Sequence, residues 1–233
     1  MRKEFLAANA FMLILILIFD VWYMFGGGLF AKSIASLMFV GAGLINLVYC
    51  RRKETNVKFP VWMMVALTCA MLGDIFLVLN FYLGTALFAV AHIFYFVSYS
   101  MLEKVNRRDF IFGLSISVIA ISIILWIPFL DFGGAIMQGV CCTYAIIISF
   151  MVGKAISNLL KEKNHVNIII VIGSILFFFS DLMLMLDLFG NIPAASYLCL
   201  GTYYPAQFLL AFSLFVYARA NTLTKLKGSY HHV

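Results

Sequence analysis

Charge is what this sequence has least of. Aspartate, glutamate, lysine and arginine make up only 11% of its 233 residues, against about a quarter in an ordinary soluble domain. That scarcity, beside a 64% share of hydrophobic residues, excludes a soluble fold, whose core could not hide so much apolar surface. Short alternating strands are lacking as well, which argues against a β-barrel. Cysteine is sparse, odd in number and never spaced C-x-x-C. Cys50, Cys69, Cys141, Cys142 and Cys199 lie in apolar runs and read as small buried hydrophobes rather than disulfides or metal ligands. His165, His231 and His232 fall in polar segments and only His92 in an apolar block, so no multi-histidine metal site is expected. No soluble domain, long linker or low-complexity segment interrupts the chain, and residues 1–233 read as a single transmembrane domain.

What is there is a succession of long apolar blocks. Windows of about twenty residues place eight helices at roughly 5–25, 30–50, 60–80, 84–102, 110–128, 134–153, 166–188 and 194–218, an all-α polytopic membrane protein. The first block follows Arg2 and Lys3 as a signal peptide would. It is long, carries Asp20 and leads into Gly26-Gly27-Gly28 without a cleavage motif, so it reads as a retained helix.

The basic residues sort by side. Arg2 and Lys3, the cluster Arg51 to Lys58, Lys104 with Arg107 and Arg108, Lys154 with Lys161 and Lys163, and the tail of Arg219, Lys225 and Lys227 all fall in alternate connections. Only Lys32, at the opposite end of the second helix, departs from the pattern. The asymmetry places both termini in the cytosol and requires an even number of spans. The net charge of +6 is therefore topology, not a nucleic-acid surface.

Carboxylates inside the blocks need another reason. An ionisable side chain at the centre of a membrane helix costs at least about 2.5–3.5 kcal/mol on insertion scales and usually faces a bundle interior. Asp20, Asp74 and Asp181 each stand about fifteen residues along an outward-running helix, hence about 20 Å from the cytosolic end. Helices four and eight run back inward and bring His92, Tyr203, Tyr204 and Gln207 to the same or a slightly deeper layer, with Lys32 at the outer boundary. One polar chamber explains this convergence most simply. Each residue also has a plainer reading: a single Asp can bond a neighbouring helix, Lys32 can snorkel to the boundary, Asp20 can pair with Lys32, His92 can be a structural histidine, and the tyrosines can be packing aromatics. Asp187 lies about 240° around the helix from Asp181 and reads as a helix-end residue. Pro205 should open the last helix near Gln207. "LGDIFLVLN" (Leu72–Asn80) and "FSDLMLMLD" (Phe179–Asp187) hint at a duplicated four-helix unit whose halves are related by an axis along the membrane normal.

These phrases, with "ALFAVAHIFYFVSY" (Ala86–Tyr99) and "YYPAQFLLAFS" (Tyr203–Ser213), resemble the YhhN-like transmembrane family, which includes the lysoplasmalogenases. The likeness runs from Lys32 to about Ser213, with one departure, Lys32-Ser33 where many relatives have Lys-Pro. The resemblance implies hydrolysis of the vinyl ether of a lysoplasmalogen, a lysophospholipid held among membrane lipids, to a fatty aldehyde and a glycerophospho-ethanolamine or -choline. Protonating carbon creates an oxocarbenium-like cation that water captures, and this needs a carboxylic acid in its neutral form plus a carboxylate, as in glycosidases. Asp74 and Asp181 would take those roles, His92, Tyr204, Gln207 and Asp20 would orient water or substrate, and Lys32 would meet the phosphate. The chemistry requires no metal or organic cofactor. Buried acids, a lone histidine and a repeat also describe a proton-coupled transporter, although helix four has no proline to match Pro205, and a non-catalytic lipid-binding protein is a third reading. In a bacterium the host would be the plasma membrane.

Overall fold

Each apolar block forms a helix in the computed structural model, which describes residues 2–230, with side chains to residue 223. His231 and His232 lie outside the described residues, as do the side chains of Lys225 and Lys227. The helices are α1 (Arg2–Trp22), α2 (Gly28–Arg52), α3 (Lys58–Leu79), α4 (Phe81–Ser100), α5 (Arg107–Trp126), α6 (Ala135–Lys161), α7 (His165–Gly190) and α8 (Ala194–Tyr230). All eight expected spans are present, and the protein is a multi-pass helical membrane protein. Seven continuous helical stretches are long and apolar enough to cross a membrane among the described residues. The first stretch, Arg2–Arg52, contains both α1 and α2, joined by a π-helical turn over Tyr23–Gly27. Gly26 at φ +101° and Gly28 at φ +58° supply left-handed backbone that side-chain-bearing residues rarely adopt, and the chain reverses there. The amides of Asn9 and Asn46 then bond reciprocally across the hairpin at 2.7 and 2.8 Å.

Asparagine marks several of the other boundaries. Asn80 accepts from the Leu83 amide and Asn164 from the Asn167 amide, while Asn106 forms a capping box with Asp109. Each satisfies backbone donors that a helix start leaves free. Asn80 therefore serves as the junction of α3 and α4, whereas Asp187 is still inside α7. The two are not structural equivalents, although the acids six residues before them are.

The packing follows a two-fold pattern. α1 pairs with α2 as α5 pairs with α6; α3 pairs with α4 as α7 pairs with α8; and α2 lies on α8 as α6 lies on α4. Adding four to a helix number maps these contacts onto one another, as the duplicated unit requires. At the α5–α6 crossing a Cβ on Gly153 would stand 2.5 Å from the Gly113 nitrogen, so this hairpin closes backbone on backbone. The halves depart from each other at their first helices. α1 also packs on α8, and its Ile16 and Asp20 are buried; the described residues contain no contact of that extent between α5 and α4.

Two expectations change. Lys154, counted above with the loop charges, is fully buried inside α6 and ion-paired with Asp109 at 2.9 Å. Helix α6 runs two turns past its apolar block because Asp109 and the Lys104 carbonyl satisfy the ammonium that would otherwise end it. Helix α8 stays helical through Pro205, because a single missing N–H removes one bond from a helix whose neighbours, α2 and α7, hold it along its length.

Candidate active site

The buried acids gather two sets of partners. In the first, Asp74 of α3 stands 3.7 Å from the Lys32 ammonium. Its Oδ2 accepts from Ser36 at 2.6 Å and from Tyr203 at 2.8 Å. Tyr204 lies behind these, 3.5 Å from the Ser36 hydroxyl and 3.4 Å from the Lys32 carbonyl. Asp74 is 2% exposed and Lys32 7%, so this set is closed. Lys32 does not snorkel: its ammonium turns inward to Asp74, with the Tyr23 ring 5.4 Å away. Asp20 is buried within electrostatic reach of Asp74, and its Oδ1 has no hydrogen-bond partner. Lys32, with which Asp20 could have paired, is committed to Asp74.

In the second set, Tyr144 of α6 donates to Asp181 Oδ2 at 2.6 Å. His92 of α4 brings its Nε2 to 2.8 Å from the Tyr144 oxygen and 3.5 Å from Asp181 Oδ2. Because the phenol gives its single proton to Asp181, the imidazole donates to it through Nε2, and Nδ1 has no hydrogen-bond partner in the protein. The Asp181 side chain retains 16% exposure. It lines a cavity of about 100 Å³ together with Tyr144, Phe88 and otherwise largely apolar residues of α3 to α7. Asp181 is the one carboxyl among the described residues that line it.

The two sets obey the same two-fold rule as the helices. Asp74 is held from α2 and α8, and Asp181 from α6 and α4. They make no direct contact with each other among the described residues. Phe177 stands between them, its ring meeting Tyr203 at 5.2 Å and His92 at 4.7 Å, with Phe88 against both Phe177 and Tyr203. In place of the single chamber expected from depth there are two clusters with aromatic rings between them. A Cβ on Gly73 would lie 2.9 Å from the Phe88 ring, which accounts for glycine before Asp74 where Ser180 precedes Asp181.

Gln207 sits one turn deeper and accepts from Tyr95 at 2.6 Å. Asp187 is half-buried near the C-terminal end of α7, within reach of Ser196. The residues that depth alone missed are Ser36 and Tyr144, and Tyr203 was ranked no higher than a packing aromatic. Ser36 was findable, since it follows Lys32 by one helical turn on the same face. Tyr144 was findable by giving every tyrosine the depth assigned to His92.

A bundle of helices with carboxyl groups built into its interior, one of them opening on an apolar cavity, defines a class of polytopic membrane proteins with an intramembrane polar site. Within that class the chain belongs to the YhhN family, whose model matches residues 29–214. The match takes in α2 to α7 and most of α8, with the residues that bond or pair with Asp74 and Asp181; α1, with Asp20, lies outside it. No solved structure matches the chain.

Proposed function

We propose that this protein is an intramembrane hydrolase of the lysoplasmalogenase type, which cleaves the vinyl ether of a lysoplasmalogen with Asp181 as the reacting carboxyl. The observation that carries this reading is the place of Asp181, an acid held by Tyr144 and His92 on the wall of an apolar cavity. An apolar cavity of that size takes the first few carbons of an alkenyl chain, and a vinyl ether held there would lie beside the Asp181 carboxyl.

In this reading the acid form of Asp181 gives its proton to the vinyl carbon remote from oxygen. The positive charge that results is shared between the adjacent carbon and the ether oxygen. Water adds to that carbon, and the Asp181 carboxylate takes the proton the water releases. The hemiacetal then breaks its bond to the glycerol oxygen, giving a fatty aldehyde and the glycerophospho-alcohol, with one water consumed and no net proton. His92 and Tyr144 hold the carboxyl in place. Asp74, behind Phe88 and Phe177, serves as the second carboxylate whose charge favours the cation, and Tyr203 fixes its direction. Lys32 is held by Asp74, so it could meet a headgroup phosphate only when that pair opens. Membership of the YhhN family supports the reaction class.

The test is aldehyde release by the purified protein in detergent from lysoplasmalogen, compared with its diacyl and alkyl-ether counterparts. Release from the vinyl ether alone is expected, and its loss in Asp181→Asn and Asp74→Asn. Near wild-type turnover in either variant would overturn the assignment of that residue. A protein without aldehyde release that carries a proton-coupled flux in proteoliposomes would be a transporter.

A further inference from the structure

A hydrolase whose reacting bond arrives through an apolar cavity must obtain water from somewhere else. The cavity lies on the outer side of Asp181, toward Leu188 and Phe189 at the end of α7. On the inner side, α7 carries Ser174 and Asn167, seven and fourteen residues before Asp181. That spacing returns to the same helix face after two and four turns, and spans about 21 Å toward the basic side of the membrane. The neighbouring face of α4 matches it. His92, Tyr95 and Tyr99 form a ladder with ring centroids 6.4 and 6.3 Å apart. Cross-links join the helices: Tyr95 to Gln207 at 2.6 Å, Tyr99 to Ser174 at 2.9 Å, and Asn158 to the Tyr99 carbonyl at 2.9 Å. Asn167 ends the column on the Asn158 and Glu162 carbonyls.

The column holds more polar capacity than its protein partners use. Among the described residues, five buried side-chain N or O atoms have no hydrogen-bond partner in the protein, and four of them belong to this column: His92 Nδ1, Gln207 Nε2, Asn158 Oδ1 and Asn167 Oδ1. Their residues are at most 2% exposed. Buried polar atoms in native proteins find a protein group or an ordered water in nearly every case. The unpartnered atoms of His92 and Gln207 belong to side chains that both adjoin Tyr95, and His92 adjoins Asp181. The two-fold relation supplies a control. Seven and fourteen residues before Asp74 stand Leu67 and Pro60, both buried and apolar. At these two positions the inner face of α7 is polar and that of α3 is apolar.

We propose that the column His92–Tyr95–Gln207–Tyr99–Ser174–Asn158–Asn167 is hydrated and carries water from the basic face of the membrane to Asp181. That the water reacts there rests on the hydrolase reading; the hydration itself does not. The experiment is radiolytic hydroxyl labelling of the whole protein in detergent with ¹⁸O-water, read residue by residue. Tyr95 and Tyr99 are expected to take up label severalfold faster than Phe39 and Phe215, which are as deeply buried but outside the column. Uptake no faster than at those two rings would overturn the proposal. In Ser174→Ala and Gln207→Leu the label at Tyr95 should fall severalfold, and return in Ser174→Thr; unchanged uptake in both variants would exclude the route through these residues. If aldehyde release is absent while the labelling pattern holds, the hydrolase reading fails and the hydrated column stands. With release present, kcat in the two variants should fall severalfold at unchanged KM.

Discussion

The two aspartate sites are built alike and finished differently. Each acid sits on the third helix of its half, held from the second helix of its own half and the last helix of the other. At Asp74 the finishing groups are an ammonium and two hydroxyls, and α1 lies over the neighbouring α8. At Asp181 they are an imidazole and a phenol, and the helix that corresponds to α1, α5, stands off from α4. The cavity lined by Ala120, Ile123 and Ile124 of α5 and by Phe81 and Phe88 of α4 occupies that gap. One acid is therefore ion-paired and sealed, and the other is left partly free beside an apolar space. A membrane interior penalises a charge without a partner, so a residue kept as free as Asp181 marks where chemistry is expected, and one paired as Asp74 is marks where charge is held still.

Disabling each site should break the likeness in a different measurement. The largest effect is expected for Asp181→Asn, which removes the transferable proton while leaving an oxygen for Tyr144. Aldehyde release should fall by about 10²–10⁴-fold, the usual worth of a general acid–base group, with little change in thermal unfolding in detergent. Lys32→Met should do the reverse at the other site and destabilise the fold by about 3–5 kcal/mol, because Asp74 is left buried and unpaired. Adding Asp74→Asn should restore most of that loss, a coupling that unfolding of the single and double variants measures directly. Exchanging the residue before each acid is a finer test. Gly73→Ser must push Phe88 aside and should cost about 1–3 kcal/mol, while Ser180→Gly should cost about 1 kcal/mol, through added backbone freedom in mid-helix. The smallest difference is expected between the phenols. Tyr203→Phe and Tyr144→Phe should each lower stability by about 0.6–1.7 kcal/mol, the range for hydrogen bonds between membrane helices, and Tyr144→Phe, which loosens the reacting carboxyl itself, should lower turnover the more.

Much of the fold was legible because a bilayer imposes a simple rule on sequence. The eight blocks announced eight helices, and the side preference of lysine and arginine ordered them. The rule failed for Lys154, which hydropathy treats as a loop charge although Asp109, forty-five residues away, keeps it in the core. It also failed for Lys32, whose partner lies on another helix. Depth along a helix brought Asp74, Asp181 and His92 to one layer, but depth has no azimuth. It could not tell that His92 faces Asp181 while Tyr203 faces Asp74, nor that Phe177 stands between. Ser36 and Tyr144 were missed for a related reason: hydroxyls are inexpensive in a membrane, so their presence in an apolar run carries little signal.

By itself, then, the sequence determined the class, the number and order of the helices, the level at which the acids lie and the family to which the chain belongs. These depend on local composition and spacing, which the hydrocarbon reads one segment at a time. Tertiary structure alone decided which acid is ion-paired with a lysine and which lines a cavity, that two clusters replace one chamber, and that a polar column runs inward from Asp181. Those depend on which helix faces meet, and that follows from packing between segments far apart in the chain.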